Sequence, residues 1–216
     1  MDLDRPVVAL AVPGGPTGAA PLPAPGPLPL PRSAAAVARC AARTVVLLAR
    51  RQVHLPRGNV GLRLRFGDGS TGRVYRETVV DHPPETERCV LVVTFRLRGV
   101  SGRGHRAFEV ESLLNTPLFV GFPGFVSKLW FAADGRGAYR GLYDWDDPDL
   151  ADAYARALWW VLALVSHRSS IHHHVVRGAC RDDVLAEAAR LGPGAPTAWV
   201  LDPAREDDWW RVAGTL

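Results

Sequence analysis

The alternation of apolar and polar residues predicts four strands and two helices in the middle of the chain. Apolar side chains recur at every second position in the predicted strands and at every third or fourth position in the predicted helices. The predicted elements are the strand Cys89–Arg98, the helix His105–Asn115, the strands Phe125–Ala132 and Ala138–Trp145, a helix that starts at Pro148, and the strand Ile171–Val176. Asp147 before Pro148 marks a helix start, because the aspartate accepts free backbone N–H groups and proline needs no acceptor there.

The order β-α-β-β-α-β predicts an α+β fold, the ferredoxin-like unit with a four-stranded antiparallel sheet. Two helices can cover only one face of such a sheet. The other face would expose apolar side chains to water, so we expect a second copy of the chain to cover it. The prediction is a homodimer, a dimeric α+β barrel, that encloses a cavity between its two sheets.

Further segments flank this unit. The predicted parts are a disordered tail (1–32), an N-terminal extension (33–85), the barrel domain (86–178) and a C-terminal extension (179–216). Nine of the 18 prolines lie in the tail, where they remove backbone donors. The N-terminal extension is predicted to hold a helix over Ala34–Arg51, with a strand over Thr44–Leu48 as the competing prediction, and a β-hairpin that turns at Gly67–Ser70. The C-terminal extension is predicted to hold a helix over Asp182–Leu191, a strand over Ala198–Leu201, and two tryptophans, Trp209-Trp210, that dock on the core.

Charge and cysteine content limit the partners that we expect. The chain has 26 lysine and arginine residues and 22 aspartate and glutamate residues, which gives a formal net charge of +4. The basic residues are scattered rather than clustered, so nucleic-acid binding is not expected. No run of about 18 apolar residues occurs, so no membrane span is expected. Cys40, Cys89 and Cys180 lie far apart in the sequence, which favours a reducing, cytoplasmic compartment.

The predicted strands bring a group of candidate site residues to the sheet face opposite the helices. Leu91 and Val93 suit the helix side, so the polar residues that alternate with them point the other way. The first and last strands are neighbours in this topology, so residues of the last strand join the group. The candidates are Thr94, Arg96, Lys128, Trp130, His172 and His174. Tyr139 and Tyr143 are further candidates, but the pattern does not decide to which face of the sheet they point. Aromatic walls with a few polar groups suit a small, apolar or aromatic molecule.

His172 and His174 are the most reactive of these candidates. Residues i and i+2 of a strand share a face, so both imidazoles can reach one ligand. A metal would need a third ligand, and Arg96 beside the histidines opposes a cation, so no metal is predicted. We favour one histidine as a general base, with Arg96 or Lys128 holding the anion that forms.

Short motifs within the unit resemble a known family. They are Phe122–Phe125 with Lys128 and Trp130, then Tyr139–Trp145, then Ala153 with Tyr154. This arrangement resembles the dimeric α+β barrel superfamily, and more narrowly the YdhR-like mono-oxygenase family in its elaborated actinobacterial form. The match covers residues 89–178. The resemblance implies a cofactor-independent mono-oxygenase that acts on an aromatic or polyketide-like compound. Two alternatives stay open: a non-catalytic ligand-binding or protein-interaction module, and a structural role in which side chains fill the cavity.

Overall fold

The computed structural model describes residues 26–81, 88–192 and 208–216, and these residues form an α+β structure around one curled, antiparallel sheet. The strands are β1 (Val53–His54), β2 (Arg63–Phe66), β3 (Thr71–Val80), β4 (Cys89–Arg96), β5 (Phe125–Phe131), β6 (Ala138–Trp145), β7 (His172–Arg177) and β8 (Val212–Thr215). The α-helices are α1 (Leu30–Ala49), α2 (Arg103–Glu111), α3 (Pro148–Val165) and α4 (Arg181–Leu191). 3₁₀ helices cover Ser112–Leu118, Arg168–Ser170 and residues 208–210, and we call the first the 3₁₀ segment. The predicted strand over Ala198–Leu201 lies outside the described residues.

The sheet is twice as large as the sequence predicts. The four central strands lie in the order β7-β4-β6-β5, so the first and last strands of the unit are neighbours, as predicted. However, β3 pairs with β5, β2 pairs with β3, β8 pairs with β2, and β1 pairs with β3. The described residues therefore contain an eight-stranded sheet rather than a four-stranded one. The prediction was wrong because the hairpin and the C-terminal strand continue the sheet instead of standing beside it.

Both faces of the sheet are covered by elements of the same chain. We call the side that packs against α1 and α3 the helix face; its buried residues include Leu91, Val93 and Trp145. On the opposite side, Val92 and Leu142 belong to a second core, which α4 and the Trp209-Trp210 pair cover. We call this side the C-terminal face. The docking of both tryptophans is confirmed. The expectation of a bare second face is wrong, because the C-terminal extension folds back over it.

Helix boundaries follow the local sequence. Asp147 caps α3 as predicted, since its carboxylate accepts hydrogen bonds from the backbone N–H groups of Asp149 (2.7 Å) and Leu150 (3.0 Å). By contrast, α1 begins at Leu30 rather than Ala34. Proline fits its first turn because the first N–H groups of a helix have no acceptor within the helix. None of the described helices has the length and apolar character needed to cross a membrane.

Candidate functional site

Strand pairing divides the predicted site residues between the two faces. Thr94 pairs with His172, and Val92 pairs with His174, so both histidines and Thr94 point to the C-terminal face. This shared orientation agrees with the prediction. Thr94 is buried and its hydroxyl donates a hydrogen bond to the carbonyl of Tyr139 (3.1 Å), whereas Arg96 is exposed at the end of β4.

The other predicted residues lie on the helix face, and this placement corrects the prediction of one shared cavity. Lys128 pairs with Tyr143, and both contact the core beneath the helices together with Trp130. Tyr139 pairs with Phe95 on this face and its hydroxyl lies 2.7 Å from Nδ1 of His105. The structure therefore does not bring these four residues to the histidines.

A bulge in β5 explains the misplacement. The register of β5 against β6 shifts between Phe125 and Ser127, so the side chains on either side of the bulge no longer alternate regularly. Phe125 packs in the core of the helix face, and strict alternation from it would send Lys128 to the opposite face. The extra residue turns Lys128 back toward the helices.

The predicted histidines do line a cleft, which runs along the outer edge of β7. Its volume is about 410 Å³, and its walls include three tryptophans from two different parts of the chain. Trp159 comes from α3, and Trp209 and Trp210 come from the C-terminal segment. The consecutive histidines of β7, His172 to His174, line it together with Arg156. We call this the β7 cleft.

His172 and His174 each contact a tryptophan ring on the C-terminal side of the cleft. The imidazole of His174 lies parallel to the indole of Trp210, with ring centroids 4.0 Å apart and planes 9° apart. The ring centroids of His172 and Trp209 are 6.0 Å apart. Nε2 of His172 is 2.9 Å from the carbonyl oxygen of Ser169. Burial, together with the neighbouring His173, lowers the pKa of His174 below its usual 6.5. The His174 imidazole is therefore neutral at neutral pH and can accept a proton or a hydrogen bond.

His173, which the sequence analysis did not select, is the histidine held by a carboxylate. It points to the other side of β7, where its Nε2 lies 3.2 Å from Oδ1 of Asp152 on α3. Arg156 lies one helical turn further on and its guanidinium is 3.6 Å from the other oxygen of Asp152. A carboxylate that orients an imidazole is the arrangement of a general base. The four-residue spacing of Asp152 and Arg156 is the signal in the sequence that points to this cluster.

Lys128 forms a second chemical feature, within the core of the helix face. Its Nζ lies 3.1 Å from the ring centroid of Trp130, 4.5 Å from that of Tyr143 and 4.8 Å from that of Phe119. Burial, and to a smaller extent the charge of Arg76, lower the pKa of Lys128 well below its usual 10.5. The Tyr143 hydroxyl accepts a hydrogen bond from Tyr154 (3.2 Å), and burial raises the pKa of both phenols.

The described residues contain no group of three or more histidine, cysteine, aspartate or glutamate side chains placed to hold a metal ion. Comparisons with family models, with curated proteins and with solved structures find no match to this chain.

Proposed function

We propose that this protein binds a small, flat aromatic molecule in the β7 cleft. The observation that carries the proposal is the parallel stack of His174 on Trp210 inside a cleft of about 410 Å³. Ligand sites typically have volumes of about 300–1,000 Å³ and combine aromatic walls with a few polar groups. Trp159 and Trp209 supply further aromatic surface, and the histidines supply ring nitrogens that can form hydrogen bonds.

Catalysis by a histidine of the cleft is the enzymatic form of this proposal. In a cofactor-independent mono-oxygenase, a base removes a proton from the substrate and a cation holds the resulting anion. His173, oriented by Asp152, and the neutral His174 are both suited to be the base. Arg156 lines the same cleft and takes the anion-holding role that the sequence analysis gave to Lys128 or Arg96. Measurement of oxygen uptake distinguishes the enzyme from a non-catalytic binding module: uptake that is lost when these histidines are replaced would support the enzyme.

The homodimer is a separate proposal. The sequence predicts a homodimer because one face of the sheet would otherwise be bare, but the C-terminal segment covers that face. Among the described residues β7 is one of the two end strands of the sheet, with β8 at the other end, and a second copy that added a strand at β7 would also close the β7 cleft. Sedimentation equilibrium of the full chain measures the number of subunits. A dimer that dissociates when His173→Pro removes a backbone donor from β7 would support pairing at this edge. A single-chain species throughout the concentration range would overturn it.

The binding proposal is tested with 2-naphthol as the probe and nuclear magnetic resonance as the measurement. The chain contains seven tryptophans, and each gives one indole N–H signal. We expect 2-naphthol to shift the signals of Trp159, Trp209 and Trp210, while Trp145, which is fully buried in the helix-face core, stays unchanged. Shifts at none of the three cleft signals, or equal shifts at all seven, would overturn the proposal.

A pair of histidine variants supplies the matched control. Loss of one aromatic stacking partner costs about 1 kcal/mol, so His174→Ala should weaken 2-naphthol binding about fivefold. His54→Ala removes an exposed histidine that does not line the cleft, and it should leave the affinity unchanged. Equal affinities of the two variants would show that the stack does not contribute to a ligand site.

A further inference from the structure

The only lysine of this chain is buried. Lys128 is one of 26 basic residues, and the rest are arginines. Its side chain is 5% exposed, although lysine is among the residues that are almost never fully buried unless they are paired. The position of the single lysine therefore requires a physical explanation.

The buried arginines of the same chain show how this fold accommodates a charge. Arg140 is as deeply buried as Lys128, and its guanidinium contacts the carboxylates of Asp68 (2.7 Å) and Asp134 (3.1 Å). Arg76 is buried too, and it donates hydrogen bonds to the carbonyl oxygen of Ser112 (2.7 Å). Both permanent cations have acceptors.

Lys128 differs from both arginines in its surroundings. Within the described residues, the contacts of its amine are with three aromatic rings, and no carboxylate or carbonyl accepts from it. An arginine cannot lose its charge in a protein, whereas a lysine does so when it is desolvated. Among the described residues, the chain thus has its lysine at a buried basic position where no acceptor holds a positive charge.

The core is shaped around this amine. A Cβ atom added to Gly141 would lie 2.6 Å from the ring of Tyr143 and 3.1 Å from Cε of Lys128. Glycine on β6 therefore leaves the space that the lysine side chain and the tyrosine ring fill. A neutral amine held in this way carries a free lone pair, which makes it a nucleophile toward carbonyl carbon.

A second basic group contacts the same indole ring as the amine. Arg76 pairs with Trp130 across β3 and β5, and its guanidinium carbon is 4.9 Å from the centroid of the ring that Lys128 also contacts. Its Nε atom is buried without a hydrogen-bond acceptor among the described residues. An unpaired buried donor is costly, and a carboxylate is its natural partner.

We propose that Lys128 is an imine-forming site for a small 2-oxo acid. The amine nitrogen attacks the keto carbon, the new C–N bond becomes the C=N bond, and the keto oxygen leaves as water with the two amine protons. The substrate carboxylate binds Arg76. No oxidant or further reactant takes part in this step.

The 3₁₀ segment is the route by which the acid enters. It lies over this part of the core and is fastened by Arg76, which donates to the carbonyl of Ser112 and to the hydroxyl of Thr116 (2.6 Å). Its seven residues are long for a 3₁₀ helix, because the hydrogen-bond geometry of this helix is poor and runs longer than three or four residues are uncommon. A carboxylate that engages Arg76 competes with these two hydrogen bonds and loosens the segment.

The test is reductive trapping of the full chain with pyruvate and cyanoborohydride at neutral pH, followed by peptide mass mapping. The α-amino group of the first residue is the internal reference, because it is the other primary amine. We expect at least tenfold faster trapping at Lys128 than at the α-amino group. Trapping at the α-amino group alone in the folded protein, with Lys128 labelled only after urea unfolding, would overturn the proposal.

Two comparisons distinguish a specific site for 2-oxo acids from non-specific reactivity of the amine. Acetone matches pyruvate in chain length but lacks the carboxylate, so it should label Lys128 at least tenfold more slowly. Arg76→Met should abolish this preference for pyruvate, and circular dichroism establishes that the variant is folded. Equal labelling by acetone and pyruvate in the unaltered chain would overturn the assignment of a 2-oxo acid.

Discussion

Replacement of Lys128 by methionine should not destabilise the fold, although it removes a deeply buried basic residue. The amine has ring contacts but no hydrogen-bond acceptor among the described residues, so methionine leaves nothing unpaired and fills a similar volume. Replacing a buried polar group by an apolar group of the same shape is neutral or stabilising by about 1–3 kcal/mol. The matched variant Arg140→Met leaves two carboxylates unpaired and should cost about 3–5 kcal/mol.

The charge of Lys128 can be followed through the difference in unfolding free energy between the unaltered protein and Lys128→Met, measured as a function of pH. Its folded-state pKa lies below the unfolded value of 10.5. Between those two values the unfolded chain holds a proton that the folded chain lacks, so the stability of the unaltered protein rises with pH. The slope reaches at most about 1.4 kcal/mol per pH unit. The Met variant lacks this contribution, so its advantage at neutral pH should shrink steadily as the pH is raised toward 10.

Urea unfolding of both proteins, followed by tryptophan fluorescence between about pH 7.5 and pH 9.5, measures this change. Groups common to both proteins, including the buried tyrosines, cancel in the difference. A difference in unfolding free energy that stays constant over this interval would refute the reasoning, because it would mean that the folded chain keeps Lys128 protonated. A strong destabilisation of Lys128→Met, comparable with that of Arg140→Met, would refute it as well.

Three further predictions follow from local geometry. Gly141→Ala should destabilise the fold by about 1–3 kcal/mol in urea unfolding, because the new methyl group meets the ring of Tyr143. Gly135→Ala places its methyl in open space and should change the stability by less than about 0.5 kcal/mol; equal effects would contradict the packing argument. His174 should titrate below pH 6.5 by nuclear magnetic resonance, and Trp210→Leu should raise its pKa because burial is the main cause of the shift; a pKa at or above 6.5 in the unaltered chain would contradict this. Asp147→Ala should lower the unfolding free energy by about 1 kcal/mol through loss of the α3 cap, and no loss would contradict the capping role.

Local patterns predicted the elements of the central unit but not the extent of the sheet. The strand over Ala138–Trp145 and the cap of α3 follow from signals within a few residues of one another, and the structure has both. The pairing of Arg76 with Trp130, or of Leu64 with Thr215, joins residues that are far apart in sequence. Periodicity indicates which side of a strand is buried, but it does not predict the strand with which it pairs.

The candidate site was predicted in part for a related reason. The alternation along β7 correctly placed His172 and His174 on one face, because that strand pairs with β4 without a bulge. The prediction put Lys128 on the wrong face of the sheet, because β5 contains a bulge that its sequence pattern does not indicate.

The two chemical features are therefore separate, and their effects should be independent. Three strand spacings lie between β7 and β5, which places His174 and Lys128 about 14 Å apart or more, on opposite faces of the sheet. Substitutions at that separation without a shared partner usually add within about 0.5 kcal/mol. The double variant of His174→Ala and Lys128→Met should thus lose 2-naphthol affinity as His174→Ala alone does, and lose pyruvate trapping as Lys128→Met alone does. If Lys128→Met by itself weakened 2-naphthol binding, the β7 cleft and the buried amine would form one site, and the division of the molecule by its sheet would be the wrong description of its chemistry.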